Sequence, residues 1–114
     1  MEQKNHLYEI PVNVRGGPGC HMPANFIGAY VVCYASAADH LEALKNSVLK
    51  LKNDGYIFEN IQGEIHELDP LKWQEYVREK WNEFKDRLPT QDEILLKVEA
   101  GEIFCGPFAG YETI

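Results

Sequence analysis

The chain has 114 residues, of which 45% are hydrophobic and 25% charged, as expected for one ordinary globular domain rather than a disordered or fibrous chain. Its 18 acidic and 11 basic residues give a net charge of -7, which excludes nucleic acid and anionic lipid as expected partners and favours a basic protein. No apolar run approaches the roughly 18 residues of a membrane span, so we expect no membrane contact and a cytoplasmic location.

The first 21 residues are expected to form an N-terminal arm that ends in a loop. Leu7–Val14 has the composition of an extended segment, but Pro11 lacks a backbone N–H and would confine it to a sheet edge or an arm. Arg15–Pro23 is too rich in glycine and proline to hold a helix or a strand. We therefore predict an arm and loop over residues 1–21 and a single α+β domain over residues 22–114.

Cys20 and His21 are adjacent in this loop and could supply metal ligands or a thiolate beside an imidazole. Two adjacent residues fix no coordination geometry, however, and no second pair is spaced to join them. The other two cysteines, Cys33 and Cys105, are far apart in the chain and show no CxxC spacing. We therefore predict free thiols, no metal site and no cofactor.

Phe26–Tyr34 is a β-branched and aromatic run, which predicts a strand buried on both faces at the centre of a sheet. From Ala37 to Asn53 apolar residues recur at helical spacing, and Asp54-Gly55 provides a stop. Two short strand-like stretches follow, and Gln62-Gly63 between them has the composition of a tight turn. These features predict a strand, a helix and then a β-hairpin.

Asp69-Pro70 is a good helix start, and the aromatic residues between Trp73 and Phe84 fall on one helical face. Thr90–Glu93 has the form of a capping box and predicts a short helix that ends near Gly101. A last strand and an ordered tail complete the chain. Read from Phe26 onward, this order predicts a ferredoxin-like split βαβ sandwich, an antiparallel sheet with helices on one face.

Alternation along the strands separates a small aliphatic set, suited to packing beneath helices, from an aromatic set that this fold would leave open. An open face of several aromatic residues exceeds what soluble monomers usually expose, so we expect the arm, the tail, a second copy or a ligand to cover it. A homodimer is the predicted outcome, and completion of the core by the arm and tail is the alternative. The candidate interface or ligand residues on or beside this face are Tyr30, Tyr34, Tyr56, Phe58, Glu64, His66 and Phe104.

A second candidate surface is acidic and lies on the tryptophan-containing helix. Carboxylates recur there at or near i, i+4 spacing, which costs helix stability through like-charge repulsion. Either they form an ordinary solvated face, or they dock a basic partner. In the second case the complementary charge would accelerate association. The four residues are Glu75, Glu79, Glu83 and Asp86.

Two functional hypotheses follow from these patterns. The first is a non-enzymatic acidic binding protein, of the immunity or inhibitor type, that holds a basic protein partner. The alternative is a small ligand-binding or enzymatic dimer with Tyr30, Tyr34, Phe58 and His66 around a pocket on the open sheet face. Glu64 and His66 share a face at the spacing of an acid/base pair, but the sequence offers no nucleophile motif or phosphate loop, which favours the non-enzymatic hypothesis.

Overall fold

The computed structural model describes residues 5–16 and 26–112. Strands follow each other in pairs along these two segments, with helices between the pairs, and all the described strands belong to one sheet. The elements are β1 (His6–Gly16), β2 (Phe26–Ala37), α1 (His40–Asn53), β3 (Tyr56–Ile61), β4 (His66–Leu68), a 3₁₀ turn (Pro70–Lys72), α2 (Trp73–Lys80), a 3₁₀ segment (Asn82–Arg87), α3 (Gln91–Ala100), β5 (Ile103–Cys105) and β6 (Ala109–Glu112).

Strand β1 lies inside the sheet, not at its edge. It pairs antiparallel with β2 from His6 opposite Ala37 to Val14 opposite Ala29, and its other side pairs with β3 and β4. The predicted arm therefore contributes an interior strand, and its side chains are among the most buried in the chain. The predicted boundary at residue 21, together with Cys20 and His21, lies outside the described residues.

Each edge of the sheet is one long strand interrupted in the middle. On one edge β3 and β4 follow each other along β1, and on the other β5 and β6 follow each other along β2, all antiparallel. The predicted hairpin at Gln62-Gly63 is therefore wrong, because β3 and β4 both pair with β1 and not with each other. Across the sheet the order is β3 and β4, then β1, then β2, then β5 and β6.

Helices cover both faces of the sheet. On one face α1 packs Ala43 and Leu51 onto a cluster that includes Val31 and Cys33 of β2. On the other face α2 and α3 surround Tyr34 in a second cluster. The α+β class and the antiparallel sheet are confirmed, whereas the prediction of helices on one face only is wrong. The ferredoxin-like arrangement is not confirmed, because β1 occupies an interior position that the arrangement read from Phe26 onward does not contain.

The helix starts agree with the sequence signals. Asp69 accepts a hydrogen bond from Leu71 N at 3.0 Å, and Thr90 forms a reciprocal capping box with Glu93. The helix with the tryptophans is shorter than its apolar spacing predicts, because α2 ends at Lys80 and the chain continues as a 3₁₀ segment. No helix within the described residues is long and apolar enough to cross a membrane.

Candidate functional site

The two edge strands are interrupted on the same line across the sheet, and two prolines explain why. Pro11 of β1 accepts a hydrogen bond from Gln62 N at 2.8 Å, so its own nitrogen faces the same edge and has no hydrogen to donate. Val32 lies opposite Pro11 on β2 and accepts from Gly106 N at 2.8 Å. Pro107 follows at once and cannot extend the ladder, so β5 stops at Cys105.

This line of interruptions opens an apolar surface cavity of about 200 Å³, which we call the notch. Its floor is the sheet at Pro11, Tyr30 and Val32, and one wall is the 3₁₀ segment. Tyr30 is 47% exposed, so the notch is accessible from solvent. Trp81, Phe84 and Phe108 complete most of the lining.

Trp81 sits where α2 ends, and its indole is fixed from both sides. Its ring meets Phe84 edge-on, with centroids 5.9 Å apart. Its Nε1–H donates to the Tyr34 hydroxyl at 2.6 Å. Tyr34 is fully buried and stacks on Phe104, so the acceptor of this hydrogen bond is itself held in the core. The wall of the notch is therefore fastened to the sheet by a buried polar contact.

That contact is the end of a chain of hydrogen bonds that we call the polar chain. The Tyr76 hydroxyl donates to a carboxylate oxygen of Glu9, which uses its only hydrogen. The Tyr34 and Tyr76 hydroxyls are 2.7 Å apart, so Tyr34 must donate to Tyr76. Trp81 in turn donates to Tyr34. The direction is therefore fixed from the indole through two hydroxyls to the carboxylate of Glu9.

Glu9 is the charged end of the polar chain, and its side chain is only 9% exposed. Lys80 Nζ lies 2.9 Å from one of its oxygens, and His66 Nδ1 lies 3.4 Å from the other. Burial acts to raise the pKa of Glu9, but hydrogen bonds from Tyr76 and Lys80 and the charge of Lys80 outweigh it, so the pKa is lowered. Glu9 is therefore ionised at neutral pH.

The two hydroxyls of the polar chain are held in their protonated form. Burial raises the pKa of Tyr34 to about 12, although the hydrogen bond that its hydroxyl accepts from Trp81 acts in the opposite direction. Burial also raises the pKa of Tyr76, and so does its hydrogen bond to the Glu9 carboxylate. The hydroxyls are protonated, the Glu9 carboxylate is ionised, and the indole and both hydroxyls each donate a hydrogen bond. The polar chain therefore supports α2 and Trp81.

The edge formed by β3 and β4 carries acidic side chains with no lysine or arginine among them. Residues 53–71 contain five acidic side chains and neither lysine nor arginine. Asp54, at the end of α1, pairs with Lys50 at 3.2 Å, and Glu59 pairs with Arg15 of β1. Glu67 contacts the imidazole of His6 at 3.0 Å, and Glu64 contacts that of His66 at 3.4 Å. Gln62 lines the notch between these carboxylates. We call Glu59, Glu64, Glu67 and Asp69 the acidic edge.

The predicted aromatic residues do not share one face. Tyr34 and Phe104 lie beneath α2 and α3, and Tyr30 lines the notch. Tyr56 and Phe58 instead pack against the α1 side, because a bulge places Asn60 opposite Asn13 and then Phe58 opposite Val14, which reverses the alternation of β3. The predicted pocket is therefore not assembled, and the aromatic face is largely covered by the chain's own helices.

Glu64 and His66 do lie together, with His66 Nε2 3.4 Å from a Glu64 oxygen. Both are exposed, Glu64 to 87% of its side chain and His66 to 58%, and His66 also contacts Glu9. The arrangement joins the acidic edge to the polar chain. No group of three or more histidine, cysteine, aspartate or glutamate side chains within residues 5–16 and 26–112 is placed to hold a metal ion.

The four predicted helical carboxylates are all exposed, and in the described part of the chain none has a cationic group within 4 Å. The end of α2 at Lys80 divides them, with Glu75 and Glu79 on α2 and the other two, Glu83 and Asp86, on the 3₁₀ segment. Basic residues are interleaved with them in the sequence, whereas the acidic edge has no lysine or arginine between its members.

Sequence reasoning missed the residues that organise the site: Glu9, Pro11, Tyr76, Trp81 and Phe108. A signal for the notch was present, since Pro11 and the Gly106-Pro107 pair mark two interruptions of strand pairing. Their alignment on one line depends on the register of β1 with β2, which composition does not reveal.

Comparison with protein-family models, with curated proteins and with solved structures finds no match to this chain. We therefore infer function from the geometry of the notch, the polar chain and the acidic edge.

Proposed function

We propose that this chain is a non-enzymatic binding protein that holds a basic protein partner, in the manner of an immunity or inhibitor protein. The notch takes one apolar side chain of the partner, and the surrounding carboxylates contact its basic residues. The observation that carries the proposal is an aromatic-lined, solvent-accessible notch beside a strand edge without lysine or arginine.

The size of the notch suits a single side chain. Typical small-molecule pockets occupy roughly 300–1,000 Å³, whereas a cavity of roughly 150 Å³ accommodates a benzene ring. At about 200 Å³ the notch is too small for most cofactors and large enough for one leucine or phenylalanine side chain. Binding hot spots commonly consist of such an anchor in a well-packed pocket surrounded by polar contacts.

The polar chain supports the same proposal because it makes the notch rigid before a partner arrives. Trp81 is positioned by Tyr34 and, through Tyr76, by the buried charge of Glu9. A preorganised pocket loses less conformational entropy on binding than a mobile one. The acidic edge adds long-range attraction for a basic partner and repulsion for an acidic one.

The small-molecule alternative and the homodimer rested on an open aromatic face. That face is largely covered by α2 and α3, and Tyr34 is fully buried there. The homodimer remains a prediction that light scattering tests, but the exposed face that motivated it is reduced to Tyr30 and its neighbours in the notch.

Two fluorescein-labelled peptides, KRKLKRK and KRKSKRK, test the proposal by fluorescence anisotropy. Burying a leucine side chain contributes roughly 1.5–3 kcal/mol, so the leucine peptide should bind at least about tenfold more tightly than the serine peptide. Binding of both should weaken as salt is added, because the carboxylates are exposed and screened. Equal affinity of the two peptides, or no binding of either, would overturn the proposal.

Matched variants assign the contact. Tyr30→Ala removes an exposed aromatic side chain from the notch, and Leu49→Ala removes a similarly exposed apolar side chain from α1. The first should weaken binding of KRKLKRK about fivefold or more, while the second should leave it unchanged. The reverse pattern would place the contact on α1 and contradict the proposed site.

A further inference from the structure

Two cysteines face each other across the sheet on the side away from the notch. Cys33 of β2 and Cys105 of β5 are opposite each other in register, and their Sγ atoms are 3.9 Å apart. Cys33 is fully buried, and Cys105 is half-buried among residues of the α1 cluster. Neither thiol is used by the notch or by the polar chain.

The backbone around this pair has the geometry of a cross-strand disulfide site. Ser36 N donates to Glu102 O at 3.2 Å, and Val32 O accepts from Gly106 N at 2.8 Å. Along a strand, successive residues direct their backbone N–H and C=O groups to opposite neighbouring strands. Val32 and Ser36 bond to the β5 side, so Cys33, which lies between them and out of step, directs its backbone groups toward β1. Cα atoms of such non-hydrogen-bonded pairs are about 4.5 Å apart, at the lower end of the roughly 4.4–6.8 Å found in disulfides.

We propose that Cys33 and Cys105 form a reversible disulfide by exchange with a low-molecular-weight disulfide that enters through the groove beside Cys105. This groove has a volume of about 530 Å³ and is lined by Lys50, Tyr56 and Phe108 as well as Cys105. The inference is independent of the proposed binding function.

The two thiols have different parts in the exchange. Cys105 lines the groove, and a hydrogen bond from the Cys33 thiol lowers the pKa of Cys105 against the effect of burial. The same hydrogen bond and burial raise the pKa of Cys33. Cys105 is therefore the attacking thiolate, since the thiolate is the nucleophile and must be accessible. Cys33, with no exposure to solvent, is the resolving thiol.

With oxidised glutathione as the disulfide, the Cys105 thiolate attacks one of its sulfurs, forms a mixed disulfide and releases one glutathione thiolate. Cys33 then loses its proton, its thiolate attacks Sγ of Cys105, and the second glutathione leaves as a thiolate. The protein gives up two electrons and two protons, and the glutathione disulfide is reduced to two thiols. Cβ atoms of facing strand residues are roughly 4.5–5.5 Å apart, against roughly 3.5–4.5 Å in disulfides, so the bond is strained and readily reduced.

Glutathione redox buffers, alkylation with N-ethylmaleimide and peptide mass mapping test the proposal on the folded full chain. We expect a Cys33–Cys105 crosslink that forms in oxidising buffer and disappears on return to reducing buffer. Cys20→Ser should form it unchanged. Cys105→Ser should abolish it, and Cys33→Ala should stop the reaction at a glutathione adduct on Cys105. A crosslink that requires Cys20, or a wild-type chain that yields adducts without a Cys33–Cys105 crosslink, would overturn the proposal.

Discussion

Replacing Glu9 by glutamine tests the polar chain most directly, because it removes one charge at nearly constant volume. The glutamine oxygen can still accept from Tyr76 and Lys80 but carries no charge, so both donors lose a charge-assisted hydrogen bond around a side chain that is 9% exposed. Hydrogen bonds to a charged group contribute roughly 1.5–3 kcal/mol each, and removing one partner of a buried pair costs roughly 3–5 kcal/mol. Because Lys80 is 42% exposed and can turn to water, we expect a loss of about 3 kcal/mol.

The pH dependence of this loss has a definite sign. The folded pKa of Glu9 lies below its ordinary value of 4.5, so the unfolded chain binds the proton more readily than the folded one. The stabilisation by the Glu9 charge is therefore complete above about pH 4.5 and is lost as the pH falls through the folded pKa. The difference in unfolding free energy between wild type and Glu9→Gln should accordingly shrink in acid.

Urea unfolding followed by tryptophan fluorescence, at neutral and at acid pH, measures both effects. Glu64→Gln is the matched control, since Glu64 neighbours His66 on the same edge but is 87% exposed, and it should change stability by less than about 0.5 kcal/mol. If Glu9→Gln is as stable as Glu64→Gln at neutral pH, or if its deficit grows in acid, the polar chain does not support α2 as described.

Three further substitutions test the packing around the site. Gly106→Ala should destabilise the fold by about 1–2 kcal/mol in the same assay, because the added Cβ would lie 3.2 Å from Cε2 of the buried Tyr34 ring. An unchanged unfolding midpoint would show that the ring moves aside at no cost. Trp73→Phe should lose about 2 kcal/mol, since it deletes the indole hydrogen bond to Pro89 O at 2.8 Å, and a neutral effect would contradict that bond. Thr90→Ala should lose about 1 kcal/mol, whereas Thr90→Ser, which keeps the cap, should stay near wild type in thermal unfolding.

Local signals in the sequence predicted the helices well. The capping box at Thr90, the Asp69-Pro70 start and the stop at Asp54-Gly55 all depend on contacts within a few residues, and each is present in the structure. The small aliphatic side chains of β2 also pack beneath α1 as their alternation indicates. These features are decided by propensity and capping, which a single sequence displays.

Long-range pairing was not predictable in the same way. Pro11 indicates an edge strand. The neighbouring edge strand is interrupted between β3 and β4, opposite the proline, and this break allows β1 to lie in the interior of the sheet. The bulge opposite Asn13 reverses which side chains of β3 face α1, so Phe58 is half-buried against the α1 cluster where alternation placed Ile57. Both features follow from contacts between segments that are distant in the chain.

The candidate site depends on these long-range contacts, which explains why the sequence-based prediction did not group its residues correctly. Tyr30 and Tyr34 lie on one face, but the first lines the notch and the second is buried beneath α2. Glu9, on the supposed arm, gave no sign of being the buried charge that Tyr76 and Lys80 contact. Its partners are 67 and 71 residues away.

In the proposed function the notch receives an apolar side chain of a basic partner. The chain has two tryptophans, of which Trp81 lines the notch and Trp73 is buried with its indole bonded to Pro89. In a ¹⁵N NMR titration with KRKLKRK, we expect the Trp81 indole N–H signal to shift while the Trp73 signal stays fixed, and we expect KRKSKRK to produce a much smaller shift. Equal shifts with both peptides, or shifts that bypass Trp81, would contradict the proposed function.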